Sequence, residues 1–129
     1  MISTVAHYAE TRERKNQMVT PLAIENRLLE LSKEVDEANN FLGTSEMNYH
    51  KAKTDYELAI AKVRLSMREG KLRVQDVQDT ALLSCATEYQ QLNINEAIVK
   101  SARANATRIR TQVDIARSIG TSVRASLEI

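Results

Sequence analysis

Apolar and small residues recur along this chain at alternating intervals of four and three. Ile24, Leu28, Leu31, Val35, Ala38, Leu42, Ser45, Tyr49, Ala52, Tyr56, Ala59, Val63 and Ser66 form one series, and the residues between them are mostly polar. That interval keeps a single stripe of an α-helix turned towards a partner. A second series repeats it near the C-terminus: Leu92, Asn95, Val99, Ala102, Ala106, Ile109, Val113, Ala116, Gly120, Val123 and Leu127. Two long stripes on either side of a glycine turn predict an all-α fold, a long antiparallel helical hairpin of coiled-coil type.

The element boundaries follow from local chemistry. Residues 1–19, with Glu10, Arg12, Glu13, Arg14 and Lys15, show little periodicity and are read as a mobile N-terminal arm. Residues 20–129 are read as the hairpin domain. Thr20 is placed to cap the first helix and Pro21 to occupy its first position, while Val19 and Ile24 have the spacing of a hydrophobic staple. The first helix is expected over about 20–69 and the turn over 70–73, where Gly70 can end the helix. The second helix is expected over about 74–127, with Asp76 and Asp79 near its positive N-terminal end. Asn39, Asn40, Gly43 and Thr44 are poor helix formers and mark the weakest stretch of the first helix. The heptad phase is unchanged across them, so the helix is expected to continue.

Composition sharpens the picture of stability. Of the 129 residues, 43% are hydrophobic but only 4% aromatic, with no Trp. Much of the seam is alanine, which allows close approach but buries little area, at about 25 cal/mol per Å². A lone hairpin of this kind is expected to be marginal and to assemble into a homo-oligomeric bundle or ring. Its contacts would run through Leu28, Leu31, Val35, Leu42, Tyr49, Tyr56, Val63, Leu92, Val99, Ile109 and Val113.

The formal net charge of +1 hides local runs of one sign. Folding the chain about the turn places residue i opposite residue roughly 143 − i, as antiparallel neighbours joined by a short loop must lie. Glu25, Glu30, Glu34, Asp36 and Glu37 then face the stretch containing Arg103, Arg108, Arg110 and Arg117. Those arginines are read as flanking charges that set register. Between Lys62 and Arg73 the balance differs: Lys62, Arg64, Arg68, Lys71 and Arg73 meet a single acid, Glu69. This net basic turn suits a polyanion, because phosphates reward clustered cations through counterion release. It equally suits a solvated helix end whose cations complement the dipole.

The residues exclude several chemistries. His7 and His50 stand alone, with no nucleophile or carboxylate at triad spacing. The three glycines lie far apart, so no phosphate-cradling loop is formed. No Glu-x-x-His pair occurs, and a single cysteine, Cys85, supports neither a disulfide nor a cysteine metal cluster. Cys85 is read as a small buried hydrophobe. Tyr49 and Tyr56 fall on the seam, whereas Tyr8 and Tyr89 lie off it. No enzyme activity, metal or cofactor is expected. Neither a signal-type apolar run nor the roughly 20 apolar residues of a membrane span are present, which predicts a soluble, cytoplasmic protein without membrane contact.

The string Lys62-Val63-Arg64-Leu65-Ser66-Met67-Arg68-Glu69-Gly70-Lys71 resembles the Lys-x-Arg-Leu segment, closed by a glycine, of the UvsY-type recombination mediators of T4-like bacteriophages. Ser66 and Met67 stand where that family carries aromatic residues. The resemblance implies that Lys62 and Arg64 contact single-stranded DNA. It further implies a ring-like oligomer that helps load a recombinase onto DNA covered by single-strand binding protein, in the host cytoplasm. The residues leave open a second function, that of a structural or adaptor coiled coil in phage assembly whose basic tip docks a protein.

Overall fold

A computed structural model describes residues 20–68 and 73–128, and all regular structure among them is helical. Helix α1 spans Pro21–Ser66, α2 spans Val74–Ser84 and α3 spans Ala86–Leu127. The arm at 1–19, the Val19 side of the staple, and Glu69, Gly70 and Lys71 of the turn lie outside the described residues. The chain divides into two compact units, one drawn from Met1–Glu37 and Thr107–Ile129, the other from Ala38–Ala106.

Helix α1 starts where its cap dictates. The Thr20 hydroxyl accepts the Ala23 N–H at 3.1 Å and the Thr20 carbonyl accepts the Ile24 N–H at 3.0 Å, satisfying donors that a helix start leaves open. Asn39, Asn40, Gly43 and Thr44 do not interrupt the helix. The Thr44 hydroxyl donates back to the Asn40 carbonyl at 3.1 Å, and the buried Ser45 hydroxyl to Phe41 at 2.7 Å. Such back-bonding gives these side chains partners without leaving the helix.

In the first unit, α1 and α3 meet in antiparallel order. The Arg27 guanidinium donates to the Gln112 side-chain carbonyl at 3.5 Å, and Leu31 and Ile109 are buried. Near the other end, a Cβ added at Gly120 would stand 3.3 Å from the Ile24 Cγ2 atom. An alanine there would require the Ile24 side chain to give by a few tenths of an ångström.

In the second unit, Ala38, Ser45 and Ala52 are buried at seven-residue intervals on α1, and Val99, Ala102 and Ala106 are buried on α3. Small side chains at this repeat let the two backbones come close. Nearer the turn, Tyr56, Ala59, Ile60 and Val63 of α1 pack with Ala81 and Cys85. Ala81, at 0% exposure, is the most enclosed residue of that cluster.

The expected single helix over 74–127 is corrected here, because Cys85 separates α2 from α3. Its φ of −108° and ψ of 25° leave the helical region, although its N–H still reaches Ala81 at 3.0 Å and its carbonyl still accepts Tyr89 at 2.9 Å. The cause is visible in the stripe. Val77, Ala81 and Cys85 follow one another by two steps of four rather than four and three. On a straight helix those steps carry the stripe about 80° around the axis. The bend falls at the end of that slip, and from Glu88 onwards the four-three interval returns.

Exposure along the seams follows the same logic. Leu28, Val35, Leu42, Tyr49, Tyr56, Val63, Leu92 and Val113 are half-buried, and only the terminal positions Ser66 and Leu127 are exposed.

Candidate nucleic-acid interface

The last turns of α1 carry Lys62 and Arg64 into solvent, and Arg68 is exposed in the turn that follows. The helix closes by tightening: the Met67 N–H reaches Val63 at 3.1 Å and the Arg68 N–H reaches Leu65 at 3.3 Å. Arg73 precedes α2 in an extended conformation, φ −65° and ψ 149°, and is exposed. Lys71, the remaining cation expected in this cluster, lies outside the described residues.

Arg64, Leu65, Met67, Arg68, Val74, Val77 and Gln78 line an open groove of about 510 Å³. Among the described residues, two guanidiniums and no carboxylate line it. Lys62, Arg64, Arg68 and Arg73 form no ion pair within 4.0 Å among the described residues. The nearby acids have other duties: Asp76 sits in the first turn of α2, where the dipole favours it, and Asp79 accepts from Gln75 at 3.0 Å. Among the described residues, then, no ion pair offsets the positive charge at this end.

The arginines of α3 are placed differently. Arg103 donates to Glu46 at 3.3 Å, outside the acidic stretch over 25–37 that was expected to face it. Within that stretch Glu30 and Glu34 lie 3.1 and 3.9 Å from Arg27 of the same helix, since neighbours three or more residues apart on one helix face meet readily. Arg110 and Arg117 line a second groove of about 460 Å³ together with Asp36 and Asp114, so charge there is balanced.

Two features of this region were not anticipated. The first is the apolar lining of the basic groove, from Leu65, Met67, Val74 and Val77. Its signal was present as apolar residues on both sides of the turn that miss the heptad series. Tyr89, read as free, instead sets its ring 5.5 Å from that of Tyr56 at 49°, an offset arrangement suited to aromatic pairs.

Other groups expected to be inert are placed as follows. Cys85 is buried and unpaired. His50 is exposed, with its ring 5.5 Å from Tyr49, and His7 lies outside the described residues. Among the described residues no three His, Cys, Asp or Glu side chains gather as a metal site. No helix among them is long and apolar enough to cross a membrane.

Fold and site together define, among the described residues, a chain whose regular structure is helical, antiparallel within each unit, with cations near the end of α1 that form no ion pair there. No protein-family model, curated protein or solved structure matches the chain.

Proposed function

We propose that the chain is a non-enzymatic, homo-oligomeric binding protein that holds single-stranded DNA on its basic turns, as an accessory of recombination. The observation that carries this reading is the cluster of exposed cations Lys62, Arg64, Arg68 and Arg73, free of ion-pair partners among the described residues. Unpaired cations lose nothing when they turn to phosphate, and each contact releases condensed counterions. The resemblance of residues 62–71 to UvsY-type mediators supports the choice of single-stranded DNA among polyanions.

Oligomerisation supplies what one turn lacks. A single turn offers few contacts, but several turns in one assembly raise the effective concentration for each next contact, so that modest affinities combine. In this reading Lys62, Arg64, Arg68, Lys71 and Arg73 contact the backbone without reading sequence, and the partners are sister copies and a recombinase or single-strand binding protein.

The test is a fluorescence-anisotropy titration with labelled oligo-dT over a range of salt concentrations. The wild type is expected to bind with a steep salt dependence. In the Lys62→Ala/Arg64→Ala variant, losing two contacts lowers the slope of log K against log salt by about 1.4, at about 0.7 per phosphate on single strands. An unchanged affinity and slope in that variant removes the site, and salt-independent binding removes the mechanism.

A further inference from the structure

We infer that the groove beside the turn docks a peptide segment of a protein partner, one that carries acidic residues next to aliphatic side chains. The inference goes beyond the nucleic-acid reading: it shares Arg64 and Arg68 with that reading and adds the apolar lining of the groove, which that reading does not use. Arg64 and Arg68 stand at a groove whose floor is Leu65, Met67, Val74 and Val77. Leu65 is 63% exposed and Val74 75% exposed. An aliphatic floor that stays in water gains by being covered.

The chemistry of the lining selects the occupant. Sequence-tolerant binding of single strands stacks bases on aromatic faces, and among the described residues no Phe, Tyr, Trp or His lines this groove. Leu, Met and Val instead match the aliphatic anchors of a docked peptide, the mode in which apolar side chains fill a groove. Methionine adds an adaptable surface. Among the described residues no carboxylate lines the groove, and the two arginines can pair bidentately with Asp or Glu of the incoming segment. Charge and apolar surface thus describe a single amphipathic, acidic ligand.

The probe is a fluorescein-labelled peptide of alternating Asp and Leu, titrated against the full-length chain. Two control peptides replace every Leu by Ser or every Asp by Asn, and each is expected to bind at least about tenfold more weakly, since both the apolar and the charged contacts are required. The Leu65→Asn/Val74→Asn variant changes exposed residues and so leaves folding intact, which circular dichroism checks. It is expected to lose about tenfold in peptide affinity while keeping its oligo-dT affinity within about twofold. Lys62 does not line the groove, so Lys62→Ala is expected to weaken oligo-dT binding and leave peptide binding unchanged. The two readings therefore fail separately. Equal binding of the control peptides, absence of peptide binding, or loss of oligo-dT rather than peptide affinity in the Leu65/Val74 variant would overturn the inference; the last result assigns the groove to nucleic acid.

Discussion

Asn39 to Thr44 on α1 and the neighbourhood of Cys85 between α2 and α3 show opposite outcomes from opposite local signals. The first stretch holds two asparagines, a glycine and a threonine, all poor helix formers, yet the helix runs through it. The second, with Ala81, Leu82, Leu83 and Ala86 around Cys85, is rich in good helix formers, yet the helix divides there. The difference lies in the stripe. Ala38, Leu42 and Ser45 keep the four-three interval, so a straight helix continues to face its partner. Val77, Ala81 and Cys85 do not, so a straight helix would turn its buried face away. Packing of a continuous seam outweighs propensity differences of about 0.5–1 kcal/mol per residue.

The comparison can be broken most strongly at Ala81. It is fully enclosed in the cluster with Ile60 and Cys85, so Ala81→Leu forces extra volume into the place where the phase slips. A loss of about 1–3 kcal/mol is expected in urea denaturation. A neutral outcome would mean that the cluster is not closed around Ala81, and the explanation of the bend would lose its basis.

A smaller effect of opposite sign is expected at Gly43. A Cβ there meets nothing within 4 Å and the residue is helical without a positive φ. Gly43→Ala should therefore raise stability by about 0.8–1 kcal/mol, the difference in helix propensity. Destabilisation would show that α1 is not helical through this stretch.

The smallest effect is expected at Gly120. The same propensity gain is available, but the new Cβ would press on Ile24 at 3.3 Å. Gly120→Ala should change the urea midpoint far less than Gly43→Ala does. Equal gains at the two glycines would imply that α1 and α3 do not approach closely at Ile24.

These contrasts also show what could be read from residues alone. The stripes, the Thr20 cap and the antiparallel order were legible because each depends on intervals within the sequence. Ile24 with Gly120 and Tyr56 with Tyr89 fall within two residues of the register that folding about the turn predicts, whereas Glu46 reaches Arg103 six residues from it. The division at Cys85 was hidden because the four-three interval is regular from Leu92 onwards, and a slip of one residue upstream of it looks like ordinary variation. At the site, the excess of cations between Lys62 and Arg73 was visible, since charge is a property of composition. The apolar floor beneath Arg64 and Arg68 was not, because Leu65 and Val74 become neighbours only once the chain has turned. The actual partner of Arg103 was also hidden, since which carboxylate lies nearest depends on side-chain geometry at the scale of one helical turn.

The central feature of the fold is that α1 returns antiparallel against α3 of the same chain, as at Ile24 and Gly120 in the first unit. The direct measurement is disulfide formation in an Ile24→Cys/Gly120→Cys variant carrying Cys85→Ala, oxidised at high dilution and analysed by mass spectrometry and non-reducing electrophoresis. The position of a Cβ on Gly120 beside the Ile24 side chain is compatible with the Cβ separation of about 3.5–4.5 Å that a disulfide spans. Rapid closure within single chains is the predicted result. Cross-links found only between chains, or thiols that stay free, would contradict it.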